Sequence, residues 1–180
     1  MRRRAHWTAA VLALAALAAC HPPDGHGPRV HAVRLADLPR PLPRPYDDTE
    51  SPAAVNASLD AAFARASASG KRVIVDLGGN WCGWCRALAG VMALPEVKPF
   101  IDANFEVVPV DVSSAEGATD RNAQVLRRFG LAKVKGVPWL IVAEPDGRVL
   151  DSSYTVTDNH HQTPQQMVDW LARWAKKAPG

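Results

Sequence analysis

Cys82 and Cys85 are the residues whose type and spacing could do chemistry. They stand in Trp81-Cys82-Gly83-Trp84-Cys85, at the head of a stretch that reads as a helix over 82–93. Two thiols so spaced at a helix start can close a disulfide within one turn. The free N–H groups and partial positive charge there favour a thiolate. Cys82 is the expected exposed nucleophile, attacking a partner disulfide to form a mixed disulfide. Cys85, deeper in the first turn, is expected to resolve it. Gly83 and Trp84 set the strain and electrostatics of the pair. The same spacing is half of a zinc site, but zinc takes four protein ligands, or three and a water. The sequence holds no second Cys-x-x-Cys. A disulfide closing so small a loop constrains the unfolded chain little, which weighs against a purely structural bond.

The third cysteine has a different setting. Arg2-Arg3-Arg4 precedes an apolar run from Thr8 to Ala19, too short for a comfortable membrane span and ending in small residues. Leu17-Ala18-Ala19-Cys20 resembles a bacterial lipobox. Residues 1–19 are therefore expected to be a lipoprotein signal peptide and Cys20 the acylated anchor, with a plain secretory signal as the alternative. An acylated Cys20 leaves Cys82 and Cys85 as the one available pair. His21 stands where Asp would mark inner-membrane retention, so the expected location is the periplasmic side of the envelope, leaning towards the outer membrane.

Charge supports no nucleic-acid partner. The chain has 21 Lys and Arg against 18 Asp and Glu, and loss of three arginines with the signal leaves 18 against 18. Residues 21–50 hold 7 of the 15 prolines, which prevents helix and reads as an extended tether over 20–50. His21, His26 and His31 are scattered along it. Metal capture there is one reading, and ordinary solvated histidines the other.

The 180 residues suit one domain with additions, and a hydrophobic fraction of 47% suffices for a core. The domain is expected over 51–180. Ser51-Pro52 reads as a helix start, and Val55, Leu59, Ala62 and Phe63 recur at helical spacing until Gly70. Strands are expected over 72–77 and 105–112, and a helix over 120–129 before Gly130. A hairpin pairs 139–144 with 148–151 around Pro145-Asp146-Gly147, and Thr163-Pro164 opens a last helix. The expected order α-β-α-β-α-β-β-α implies an α/β fold with a mixed central sheet flanked by helices.

Val73-Ile74-Val75-Asp76, Trp81-Cys82-Gly83-Trp84-Cys85-Arg86 and Gly136-Val137-Pro138 together resemble the thioredoxin superfamily. The likeness is to bacterial envelope thioredoxin-like proteins carrying a Pro-Asp-Gly hairpin, and it covers about residues 52–178. It implies a thioredoxin-like fold, with Cys82 attacking, Cys85 resolving and Trp81 as the aromatic before the motif. It also implies that Pro138 is the cis-proline beside the disulfide, with Val137 and nearby backbone free to pair with an extended substrate. Asp76 matches the family's buried acid, which could take a proton from Cys85; its other reading is a strand-end cap. Four departures stand out: Gly83-Trp84 lacks a proline, Gly78 replaces an aromatic, Trp139 replaces a small polar residue, and Val107 replaces a lysine near the acid. They leave the fold expectation intact and bear on potential and partner choice.

The expected function is a membrane-tethered thiol–disulfide oxidoreductase that needs no cofactor beyond the Cys82–Cys85 disulfide. Its partners would be thiols and disulfides of exported proteins and an inner-membrane redox protein, with reduction the expected direction. The alternative is a copper metallochaperone on the same scaffold, holding Cu(I) with Cys82 and Cys85, with His160-His161 as the candidate source of a further donor or, on the other reading, an exposed loop pair.

Overall fold

The run Val73–Leu77 is apolar apart from Asp76 and rich in β-branched residues, a composition suited to a strand covered on both faces. The computed structural model describes residues 26–112, 121–153 and 163–176, and places that run in β1 (Arg72–Gly78), buried from Val73 onward. β2 (Phe105–Asp111) pairs with β1 in parallel, β3 (Trp139–Ala143) pairs with its other side antiparallel, and β4 (Val149–Ser153) continues from β3. The strand order is β2-β1-β3-β4, the mixed sheet that the sequence implies. Gly147 closes the β3–β4 turn at φ 89°, a left-handed conformation that glycine adopts without a steric penalty.

Alternate residues face opposite helical layers. Val73, Val75, Leu77 and Ile141 pack with residues of α1 (Pro52–Ser69) and α4 (Ala123–Arg128). Ile74, Leu140 and Val142 pack with α2 (Gly83–Met92), α3 (Lys98–Asn104) and α5 (Pro164–Arg173). By the two-residue period of a strand, Asp76 and Gly78 share the Ile74 face, the one α2 covers.

The helix ends follow their residues. Ser51 Oγ accepts the Ala54 N–H at 3.2 Å, Pro52 occupies the first turn, and Gly70 ends α1 at φ 72°. Thr163 and Gln166 cap α5 reciprocally, each side chain accepting the other's backbone N–H. α3 lies outside the expected order. Seven residues give too little periodicity to announce it, although Pro99 in its first turn is a start signal.

Residues 26–50 correct the expectation of a free tether and of a domain beginning at Ser51. Leu38, Leu42 and Tyr46 are buried, and Leu35–Asp37 forms a single 3-10 turn. Alternating prolines do extend this segment, and residues an even number apart in an extended chain fall on one side. That side carries Leu38, Leu42 and Tyr46. Arg86 of α2 fastens the segment, donating from Nε to the Pro43 carbonyl at 3.2 Å and from Nη2 to the Leu42 carbonyl at 3.0 Å. The Gly27 and Val30 N–H groups donate to Asp169 at 2.9 Å and Gln165 at 2.8 Å on α5. His26 and His31 sit apart, 3.8 Å from Asp169 and 3.2 Å from Glu96.

Candidate redox site

β1 ends at Gly78, and three residues later the chain turns through Trp81 into α2. Cys82 is the N-cap of that helix: it keeps an extended backbone while its Sγ accepts the Cys85 N–H at 3.1 Å. The helix start thus brings a donor to the Cys82 sulfur, an arrangement that would favour a thiolate there. Cys82 and Cys85 form a disulfide with Cα atoms 5.3 Å apart. Cys82 keeps 7% of its surface exposed and Cys85 none. Cys82 thus keeps a small opening to the surface, whereas Cys85 is enclosed. Trp81 stands 59% exposed beside the motif.

The Val137–Pro138 bond is cis. Val137 packs against the cysteine cluster, and its carbonyl oxygen lies 3.6 Å from Cys82 Sγ. Trp139 is buried in the sheet, its indole N–H donating to Ser152 Oγ at 2.9 Å. Asp76 is 1% exposed, and burial pushes its carboxyl up to about 7. Its Oδ2 accepts the Tyr46 hydroxyl at 2.9 Å, which opposes that rise, while Oδ1 has no hydrogen-bond partner among the described residues. An open cleft of about 470 Å³ includes Asp76 in its lining, together with Met92, Phe105, Val107, Lys71 and Lys98. Val107 pairs with Ile74 in the ladder, two positions from Pro109, the residue opposite Asp76, and it lines the same cleft as the acid.

The structure brings Asp76, Trp81, Cys82, Cys85, Val137 and Pro138 to the end of β1 and the start of α2. Cys20, His160 and His161 lie outside the described residues, as does the segment 1–19. Among the described residues no group of three or more His, Cys, Asp or Glu could hold a metal ion, and no helix is long and apolar enough to cross a membrane.

Sequence reasoning missed Tyr46 and Asn80. The Tyr46 N–H donates to Asn80 Oδ1 at 3.3 Å, and Asn80 Nδ2 donates back to the Tyr46 carbonyl. A signal existed in Gly78. A Cβ there would stand 2.5 Å from the Tyr46 hydroxyl oxygen, so the missing side chain makes room for a ring from another segment.

The thioredoxin-like family model matches residues 54–145. Among solved structures, a disulphide isomerase from Xylella fastidiosa Temecula1 is 26% identical with a TM-score of 0.62, covering 74% of this chain and 98% of its own. A mutant thioredoxin from Halobacterium salinarum NRC-1 is 19% identical with a TM-score of 0.43, covering 77% of this chain and 100% of its own. The oxidised C-terminal domain of Neisseria meningitidis DsbD is 25% identical with a TM-score of 0.39, covering 57% of this chain and 81% of its own. No curated protein matches significantly. The family model spans just over half of the chain and includes both cysteines and Pro138, and the chain belongs to the thioredoxin-like family.

Proposed function

We propose that this chain is a lipid-anchored thiol–disulfide oxidoreductase of the bacterial cell envelope, working as a reductant of disulfides in exported proteins. The observation that carries the redox chemistry is the Cys82–Cys85 disulfide at the start of α2, with a small opening to the surface at Cys82 and Cys85 enclosed. The Xylella disulphide isomerase, similar over nearly its whole length, supports the same class of reaction. The anchor and the envelope location rest on Leu17-Ala18-Ala19-Cys20 and the apolar run before it.

In the reducing direction the Cys82 thiolate attacks one sulfur of a substrate disulfide. A bond forms between that sulfur and Cys82 Sγ, the substrate S–S bond breaks, and the other substrate sulfur leaves as a thiolate that takes a proton. Cys85 then loses its proton and attacks Cys82 Sγ. The Cys82–Cys85 bond forms, the mixed disulfide breaks, and the second substrate thiolate leaves. Two electrons have passed from the dithiol to the substrate. Asp76 is the acceptor for the Cys85 proton, since a carboxyl held near neutrality can both take and return it. Val137 and the cis Pro138 flank Cys82, where an extended substrate strand would lie. A dithiol partner at the inner membrane must return the electron pair.

Cys82→Ser should abolish turnover of a protein disulfide, while Cys85→Ser should accumulate mixed disulfides visible on non-reducing gels. Normal turnover by Cys82→Ser would falsify the assignment. The reduction potential in glutathione buffers, read by tryptophan fluorescence, tests the direction. A value near about −270 mV fits a reductant, and one near about −120 mV an oxidant.

A further inference from the structure

We propose that Tyr46 is a positioning residue of the redox centre, its hydroxyl orienting the Asp76 carboxyl and its ring closing the space beside the two sulfurs. The inference rests on the proposed role of Asp76 as proton acceptor and adds a residue outside the segment that the family model matches.

Three features of the structure converge on Tyr46. The phenol is buried in one cluster with Cys82 and Cys85 and donates to Asp76 Oδ2 at 2.9 Å, so a single side chain packs with the cysteines and bonds the acid. Asn80, two residues before Cys82, holds the Tyr46 backbone through both its amide donor and its amide acceptor. Gly78, on the same strand face as Asp76, leaves the space the ring occupies.

This arrangement has a chemical consequence. Burial beside Asp76 pushes the Tyr46 phenol far above its usual range, so it remains a donor throughout physiological pH. A permanent donor favours the carboxylate form of its partner. Tyr46 therefore holds Asp76 lower than burial alone would, and keeps more of it ready to accept a proton at neutral pH. The other titratable and charged groups around the pair are Asp111 at the end of β2, the two cysteines of α2, and Lys71, Lys98, Asp102 and Glu106 across the cleft. None of these is altered by Tyr46→Phe.

The test is the pH profile of the resolving step. Reduced full-length protein is mixed with oxidised glutathione, and the second phase, attack of Cys85 on the mixed disulfide, is followed by tryptophan fluorescence. Tyr46→Phe, which keeps the ring, should move the midpoint of that phase to higher pH and slow it about fivefold at pH 7, the effect of removing one hydrogen bond to a charged group. Asp76→Asn should flatten the profile, and adding Tyr46→Phe to it should change nothing further. A second perturbation uses the close approach: Gly78→Ala must displace the ring and should shift the midpoint the same way. A wild-type midpoint in Tyr46→Phe, with a flat profile in Asp76→Asn, overturns the tyrosine's role and leaves the acid's standing. Equal slowing by Tyr46→Phe with and without Asp76 also overturns it, reducing the ring to packing. A wild-type profile in Asp76→Asn removes the acid and the inference together.

Discussion

Asp76 illustrates what an enclosed carboxyl costs a fold. It is enclosed with one oxygen satisfied and the other without a hydrogen-bond partner among the described residues, and burial raises it from 3.8 to about 7. A raised acid binds its proton in the folded state at a pH where the unfolded chain has already lost it. Stability is therefore fully present below the unfolded value near 4 and declines as pH rises towards 7. Asp76→Asn should relieve this cost. We expect it to raise the melting temperature at pH 8, with a gain of roughly 2–4 kcal/mol that shrinks towards zero near pH 4. Denaturation of both proteins at pH 4.5, 6 and 8 reads this directly; a gain independent of pH would mean that the carboxyl does not titrate where its burial places it. The acid was legible as a residue because it stands six positions before Cys82 on a strand of apolar neighbours. Tyr46 was not legible, since its partner lies 30 positions away and Gly78, the one mark near the acid, says that space is left without saying which residue fills it.

Elements announced by their ends were read well, and elements without such marks were not. Ser51-Pro52 and Gly70 bound α1, Thr163-Pro164 opens α5, and Pro145-Asp146-Gly147 turns the hairpin, each through a local backbone need that one or two residue types meet. α3 escaped because its start has no side-chain cap and its burial is limited to Phe100, Ile101 and Asn104. The N-cap expectations can be tested where they are exposed. Ser51→Ala removes the acceptor for the Ala54 N–H and should cost about 1 kcal/mol, leaving the potential of the cysteine pair unchanged. Chemical denaturation gives the first value and glutathione titration the second. A loss well above 2 kcal/mol would mean that Ser51 also ties the segment 26–50 to α1.

At the scale of the whole molecule, residues 26–50 pack as part of the folded unit. Proline content limits helix there to the single 3-10 turn Leu35–Asp37, but a scarcity of regular structure is not the absence of packing. An extended chain needs only an apolar side and satisfied carbonyls to lie on a domain. Leu38 and Leu42 join the core under α2, Tyr46 joins the cysteines, and Arg86 takes two of the carbonyls. Burying three such side chains contributes roughly 4–8 kcal/mol, against which stands the entropy of ordering the segment. Since an entire domain is worth only about 5–15 kcal/mol, even a net 2 kcal/mol matters. A chain of residues 51–180 should therefore melt roughly 6–10 °C below one of residues 26–180, with both in the disulfide form. Its cysteine pair should also be more open to alkylation after reduction, because the ring that closes the site has gone. Equal melting temperatures and equal alkylation rates would mean that the segment rests on the domain without holding it. The predicted result makes it a structural part of the redox centre, continuous in sequence with the proposed lipid anchor.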